Sequence, residues 1–178
     1  MIIEIASPPR TIMEVYKMLP EGTLAELVNG QLYMSPAPTN LHQRTSRKIA
    51  IQLSQFIDEH TLGEIFYAPS DVYLDEEANA VQPDLYFISK GNDNQPLDEI
   101  PYQGVPDLII EILSPSNNKH DLITKKNLYE KFGVKEYWIV DPTTKETLLY
   151  ELIKNQFVLK AQPTAKVFST LLNHLFSF

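Results

Sequence analysis

The feature that most constrains this chain is an apolar run at residues 108–113, which a single acid, Glu111, interrupts. A strand that is apolar on both faces is covered on both sides, since a half-solvated strand alternates apolar and polar residues. Glu111 lies on the same side of this predicted strand as Ile109 and Leu113, so the pattern buries its carboxylate. A buried carboxylate is costly unless it is neutralised, hydrogen-bonded or bound to a cation. We therefore expect the rest of the sequence to supply a partner for Glu111.

Composition excludes several classes of protein. The chain has no cysteine, which excludes disulfides, thiolate metal sites and cysteine nucleophiles. No apolar run approaches the length of a membrane span, so we expect a cytoplasmic protein. The length of 178 residues and the apolar content of 43% predict one domain over residues 1–178. The net charge of −8 argues against a broad basic surface for nucleic acid, although a local patch is compatible with it.

Local patterns predict the remaining elements. Helices are predicted at residues 11–19, about 40–60 and about 119–132, and Asn29-Gly30 between two apolar runs predicts a hairpin. A second hairpin is expected around Lys154-Asn155, followed by an apolar tail that docks on the body. The strong strands are 81–88, opened by Pro83-Asp84, then 108–113 and 136–141. Strands with long helices before and between them predict an α/β (α+β) fold, a mixed β-sheet flanked by helices.

A lysine stands in the middle of an apolar helical stripe in the last predicted helix. At 100° per residue, one side of this helix carries five residues: Leu122, Lys125, Leu128, Tyr129 and Phe132. A lysine at the centre of such a stripe is not typical of a solvated face. Because this helix leaves the strand of Glu111, the stem of Lys125 can run back along the core towards the acid.

Asp84, Glu111 and Lys125 together have the composition of a site for phosphoryl chemistry. Asp84 opens one strand and Glu111 lies within the next strong strand, so pairing of the two strands would bring the carboxylates close together. Two carboxylates at short range repel each other unless they share a proton or a hard cation. Oxygen ligands of this kind suit Mg²⁺ or Mn²⁺ rather than zinc. The metal would activate a water, and the lysine would orient it or stabilise developing charge.

Each candidate residue also has an ordinary structural interpretation. Asp84 could cap a turn, Glu111 and Lys125 could form a buried ion pair, and Glu26 could be an exposed strand acid. His42, at the start of the long helix, could be a capping or core histidine. The other histidines show no ligand spacing and receive no role: His60, His120 and His174. The sequence contains no glycine-rich phosphate loop, serine elbow or dinucleotide fingerprint.

Five segments, in order, resemble the Uma-two family of restriction-endonuclease-like proteins in the PD-(D/E)XK superfamily, and the resemblance covers roughly residues 10–175. The segments are ELVNGQL at 26–32, HQR at 42–44, QPD at 82–84, PDLIIEILSPS at 106–116 and GVKEYWIVDP at 133–142. The resemblance implies a restriction-endonuclease-like core and a divalent-metal phosphodiesterase site.

The resemblance also implies individual roles. Asp84 matches the first acid of the motif and Glu111 the second, but Leu113 stands where the superfamily pattern has a lysine. The spacing of Asp121, Lys125 and Tyr129 resembles a family arrangement in which that lysine has moved to the following helix.

Three further positions follow from the same resemblance. Glu26 resembles the hairpin glutamate of the family and could be an extra metal or water ligand. His42 matches a family position without a specified role. Asp107, in a second Pro-Asp pair, is interpreted as a strand-start residue rather than a ligand.

The sequence thus predicts a metal-dependent deoxyribonuclease. Asp84, Glu111 and the backbone carbonyl of Ile112 would hold Mg²⁺ (or Mn²⁺), and Lys125 would assist the attacking water. DNA is the expected partner, and a homodimer would pool the few local cations. Two alternatives stay open: a non-catalytic nucleic-acid-binding or scaffolding domain, and a metal phosphodiesterase acting on a small nucleotide or RNA. The local cations are Arg44, Arg47, Lys48, Lys119, Lys125 and Lys126.

Overall fold

The computed structural model describes residues 8–92, 101–114 and 120–178. The helices are α1 (Ile12–Lys17), α2 (Asn40–His60), a π-helical segment (His120–Lys125) and α3 (Lys126–Phe132). The strands are β1 (Ala25–Val28), β2 (Gln31–Met34), β3 (Gly63–Tyr67), β4 (Val72–Tyr73), β5 (Ala80–Val81), β6 (Leu85–Ser89), β7 (Tyr102–Gln103), β8 (Leu108–Ile112), β9 (Glu136–Val140), β10 (Thr147–Ile153), β11 (Gln156–Lys160), β12 (Lys166–Ser169) and β13 (His174–Ser177). Within these ranges, no helix combines the length and apolar composition needed to cross a membrane.

The larger sheet has six strands in the order β11-β10-β9-β8-β6-β3. Strands β8 and β9 are parallel, whereas the other neighbouring pairs are antiparallel, so the predicted mixed sheet is confirmed. All five residues of β8 are buried, as the apolar run predicts. One face of this sheet packs on α2 and the β12–β13 hairpin, and the other packs on α3 and the smaller sheet.

The smaller sheet has the order β2-β1-β5-β4-β7 and begins with the predicted hairpin. Asn29 and Gly30 both adopt positive φ, at 50° and 75°, as a tight two-residue hairpin turn requires. The prediction of one strand over 81–88 is wrong, because β5 belongs to the smaller sheet and β6 to the larger one. Pro83, which has no N–H to donate to a ladder, lies at the corner between them. The corner places Gln82 and Asp84 between the two sheets.

The long helix α2 has the predicted bounds. The side chain of Thr39 accepts a hydrogen bond from the N–H of His42 at 3.2 Å and caps the helix. Its buried stripe consists of His42, Thr45, Ile49, Leu53 and Ile57. The helix ends at Thr61, which adopts the left-handed conformation.

The helix predicted over 119–132 is divided. Lys119 lies outside the described residues, His120–Lys125 is π-helical, and the α-helix begins only at Lys126. Gly133 ends it in the left-handed conformation, which glycine adopts without a steric penalty. The tail docks on the body as a hairpin, with the ring of Phe176 5.9 Å from that of Trp138.

Candidate active site

One cavity of about 470 Å³ lies where the two sheets meet the start of α2. Its wall includes Asp84 from the corner before β6, Glu111 from the larger sheet, Glu26 from the smaller sheet, His42 from α2 and Lys125 from the π-helical segment. The backbone of Ile112 also reaches this wall. The fold therefore brings together every residue that the sequence singles out for the site.

Lys125 lies between two carboxylates that come from different sheets. Its Nζ is 2.8 Å from Oε1 of Glu26 and 2.9 Å from Oε1 of Glu111, and each of these side chains is only about 5% exposed. The inward direction that the helical stripe predicts for Lys125 is thus confirmed. The interpretation of Glu26 as an exposed strand acid is wrong, because β1 is buried along its whole length.

Tyr129 and Gln82 hold the two carboxylates in place. The hydroxyl of Tyr129 donates to Oε1 of Glu111 at 2.9 Å, and the backbone N–H of Gln82 donates to Oε1 of Glu26 at 2.9 Å. Complete burial raises the pKa of Tyr129 well above its ordinary value, and the charge of Glu111 raises it further. The tyrosine hydroxyl therefore stays protonated and acts as a donor.

Asp84 is the most exposed acid of the cavity, with 19% of its side chain accessible. Its Oδ2 accepts a hydrogen bond from the N–H of Ile112 at 2.7 Å and lies 3.0 Å from Nε2 of His42. Leu85 pairs with Ile110 in the β6–β8 ladder, so continuing this antiparallel register by one residue sets Asp84 opposite Glu111. Directly opposite residues point to the same face of a sheet. The two predicted acids are therefore neighbours on the cavity wall.

Sequence reasoning missed His120. Its Nε2 is 3.8 Å from Oε2 of Glu26, and its ring packs against Tyr33 with the centroids 4.3 Å apart. Burial lowers the pKa of His120 and the ammonium of Lys125 lowers it further, while Glu26 acts in the opposite direction. The imidazole is therefore neutral at neutral pH. No ligand spacing could have revealed it, because its partner Glu26 lies on a distant strand.

The chain is similar to known proteins in both sequence and structure. The model of the Uma2 family, described as "Putative restriction endonuclease", matches residues 12–173. The chain belongs to this family. Among solved structures it is similar to a protein from Anabaena variabilis described as a "putative nuclease belonging to DUF820", with a TM-score of 0.74 and 18% identity over 93% of this chain and 92% of that one. At that identity the similarity shows the fold alone. A search of curated proteins gave no significant match.

Membership in the Uma2 family supports a nuclease function, and this family is expected to use divalent metal ions. Within the described ranges, no three His, Asp or Glu side chains form a ready-made metal cluster. The ligand set predicted from the sequence contains only two such side chains, Asp84 and Glu111, and its third member is the main-chain carbonyl of Ile112. All three ligands are hard oxygen donors, which suit Mg²⁺ or Mn²⁺.

The balance of charge also fits a cation. Among the described residues, three carboxylates, those of Glu26, Asp84 and Glu111, line the cavity together with the ammonium of Lys125 and the imidazole of His42. Carboxylates that lie close together are stabilised by a shared proton or a bound cation. The donor set and the charge of the cavity therefore both fit a divalent metal ion.

Asp107, the acid of the second Pro-Asp pair, has a different environment. Its carboxylate accepts hydrogen bonds from the N–H and hydroxyl of Ser89 and from the side chains of Asn92 and Lys135. Burial would raise the pKa of Asp107, but these donors outweigh it and leave the pKa below its ordinary value. Asp107 does not line the cavity. Its contacts agree with the interpretation of a strand-start residue.

Two other histidines lie away from the site. The rings of His60 and His174 pack against Phe56, with centroids 4.3 Å and 4.1 Å from its ring. Nothing is described for the side chain of Asp121, whose spacing to Lys125 suggested the family arrangement.

Proposed function

We propose that this protein is a metal-dependent endonuclease that hydrolyses phosphodiester bonds in DNA. The observation that carries the proposal is the convergence of Asp84, Glu111 and Lys125 on one cavity. Asp84 comes from the corner before β6, Glu111 from β8 and Lys125 from the π-helical segment, and the Uma2 family is described as one of restriction endonucleases. Their chemistry is that of two oxygen ligands and one cation beside a reacting phosphate.

In this proposal Asp84, Glu111 and the carbonyl of Ile112 hold Mg²⁺ or Mn²⁺. When bound, the metal supplies Lewis-acid activation of water and neutralises phosphate charge. Lys125, held by Glu111, orients the attacking water and stabilises charge that develops on the phosphate. The water loses a proton as its oxygen bonds to phosphorus, the bond from phosphorus to the leaving oxygen breaks, and the leaving oxygen takes up a proton.

The neighbouring groups keep this arrangement in place. Glu26 fixes the other side of the Lys125 ammonium at 2.8 Å, and Tyr129 fixes the carboxylate of Glu111 at 2.9 Å. His42 lies 3.0 Å from Oδ2 of Asp84 and restrains its orientation. Groups held in this way need little reorganisation when the substrate reacts.

A non-catalytic scaffolding or nucleic-acid-binding domain is the second candidate, and the direct bridge between Glu111 and Lys125 favours it. A purely structural ion pair would be expected to fill its surroundings and to leave Asp84 facing solvent. The bridge instead borders a cavity of about 470 Å³, and Asp84 lines the same cavity. These two features favour the nuclease.

The test combines metal binding with cleavage. Mn²⁺ is titrated calorimetrically into the wild type, into Glu111→Gln and into a double variant with Asp84→Ala and Glu111→Ala, and each sample is then assayed on supercoiled plasmid. We expect Glu111→Gln to lower the rate of nicking roughly 100-fold or more, and the double variant to lose Mn²⁺ binding as well. Glu59→Gln, an exposed charge change at the end of α2, is the matched control and should behave as the wild type.

Either of two results would count against the nuclease. Undiminished nicking by a folded Glu111→Gln variant would remove Glu111 from the mechanism. A wild-type protein that binds no Mn²⁺ and cuts no DNA would make the scaffolding function the better explanation. Circular dichroism of each variant separates loss of chemistry from loss of fold.

A further inference from the structure

The reactive groups lie at the floor of the cavity rather than on its rim. Glu111 and Lys125 are each 4% exposed, so a phosphodiester bond must enter the cavity before it can reach them. Two short segments line the same cavity, residues 35–39 before α2 and residues 68–69 after β3. A rigid double helix has its phosphates fixed on its outer surface, whereas a flexible strand can bend into a recess.

The two segments give the cavity apolar walls. Pro36 and Pro38 line the cavity from the first segment, and Ala68 and Pro69 line it from the second. The N–H of Ala68 donates to the backbone carbonyl of Asp84 at 3.1 Å, which fixes the second segment next to the acid. Proline and alanine side chains offer packing surface without hydrogen-bonding groups. A volume of about 470 Å³ lies in the range of small-molecule pockets and suits one nucleotide rather than a base pair with both backbones.

Large apolar side chains adjoin the wall segments and remain exposed. Tyr67 directly precedes Ala68 and is 56% exposed at the end of β3, an edge strand of the larger sheet. Met34 directly precedes the other segment and is also exposed. Neither side chain lines the cavity itself, but an exposed aromatic ring one residue away from its wall is a surface on which an unpaired base next to the cavity can stack.

The charges near the cavity match the backbone of such a strand. Arg44, Arg47 and Lys48 lie exposed on the first turns of α2, directly after His42, which lines the cavity. None of the three forms a salt bridge with another described residue. In a chain with a net charge of −8 they form a local basic patch, which we call the α2 cations. Phosphates on either side of a nucleotide in the cavity would meet this patch.

From these features we propose that the cavity admits one unpaired nucleotide of a DNA strand against its apolar walls, with the base of a neighbouring nucleotide stacked on Tyr67. The substrate is then single-stranded or locally unpaired DNA rather than intact duplex. The identity of the cleaved bond rests on the proposed nuclease function, whereas the binding preference does not.

Binding is measured by fluorescence anisotropy with a fluorescein-labelled 16-nucleotide DNA strand and with a duplex of the same sequence. The buffer contains Ca²⁺, which seldom supports hydrolysis. We expect the single strand to bind at least 10-fold more tightly than the duplex. Tyr67→Ala should weaken single-strand binding roughly 10-fold, because stacking on the ring is lost, and Tyr67→Phe should retain it. Phe168→Ala, an exposed aromatic on the β12–β13 hairpin, is the matched control and should change nothing.

Equal or tighter binding of the duplex, or an unchanged affinity in Tyr67→Ala, would overturn the inference. Cleavage in Mg²⁺ distinguishes it from the proposed function. Cutting of relaxed duplex as fast as single strand would support the nuclease and overturn the preference for unpaired DNA. Tight, Tyr67-dependent binding of single strand without any cleavage would support the preference and overturn the nuclease.

Discussion

Lys125 joins two carboxylates that neither sheet could hold close together on its own. Glu26 and Glu111 come from different sheets, and both approach the same ammonium group within 3 Å. The strand of Glu111 itself carries no lysine two residues after the acid, because Leu113 occupies that position. The π-helical segment supplies the cation instead, from the next element of the chain. One lysine therefore serves both the cohesion of the two sheets and the proposed chemistry.

Replacing this lysine should cost stability as well as activity. In Lys125→Met two buried carboxylates lose their shared cation, so we expect the free energy of unfolding to fall by about 3–5 kcal/mol. Urea denaturation at neutral pH measures this loss. Because a divalent ion could replace the ammonium between the carboxylates, Mn²⁺ should restore part of the stability of this variant.

Lys126→Met provides the matched control. Its Nζ lies 5.2 Å from the centroid of the Tyr150 ring and contacts no carboxylate of the site. We expect a change below about 1 kcal/mol for this variant. Equal losses in the two variants would show that the Glu26–Lys125–Glu111 contacts do not hold the sheets together.

At the scale of elements, the position of Asp84 depends on how β6 is held. Strand β6 lies between β8, which carries Glu111, and the edge strand β3. Strand β3 begins at Gly63, which pairs with Ser89 at the far end of β6. Gly63 has a φ of 150°, and a Cβ atom there would lie 2.1 Å from the backbone oxygen of Ile88. Only a residue without a side chain fits this approach of the two strands.

Gly63→Ala should therefore loosen the edge of the sheet. The added methyl group meets backbone rather than a flexible side chain, so we expect a loss of about 3 kcal/mol or more in the free energy of unfolding. Urea denaturation provides the measurement. Gly22→Ala is the control, because Gly22 also has positive φ, at 79°, but has no neighbouring atom within 4 Å of a Cβ.

For Gly22→Ala the expected loss is about 1–2 kcal/mol, from the left-handed backbone conformation alone. If Gly63→Ala were no more destabilising than Gly22→Ala, the close approach of β3 and β6 would not be a constraint on the sheet.

At the scale of the whole molecule, the net charge limits how strongly the protein can attract DNA. The net charge of −8 repels a polyanion, so attraction must come from the α2 cations and from contacts that do not depend on charge. A small number of phosphate contacts gives weak dependence of binding on salt. A homodimer, which would pool two such patches, stays a prediction.

The salt dependence of single-strand binding follows from this count. Three phosphate contacts from Arg44, Arg47 and Lys48 give an expected slope of about −2 in a plot of log K against log salt concentration, at roughly −0.7 per contact. Arg47→Ala should reduce the slope by about 0.7, measured by anisotropy from 50 to 300 mM salt (about the range in which such slopes are taken).

Lys166→Ala, an exposed lysine on β12, should leave the slope unchanged. A wild-type slope several times steeper than −2 would contradict the prediction of about three contacts, and would indicate a larger basic surface such as two pooled patches.

Short-range patterns in the sequence determined much of this protein. The apolar run around Glu111 predicted a strand covered on both faces, the Asn29-Gly30 pair predicted the first hairpin, and helical spacing turned Lys125 inward. The strand, the hairpin and the direction of Lys125 depend on side-chain periodicity and turn chemistry, which act between residues a few positions apart. The resemblance to its family predicted the fold and supplied the candidate residues of the site.

Only the tertiary structure decided which distant residues meet. The burial of Glu26 against Lys125, the division of 81–88 at Pro83 and the approach of His120 to Glu26 follow from the order and packing of two sheets. The contact of Gln82 with Glu26 spans 56 positions of the chain. Such contacts form because strands that are distant in sequence become neighbours in a sheet. Local sequence patterns do not show which strands will pair, so they could not predict these contacts.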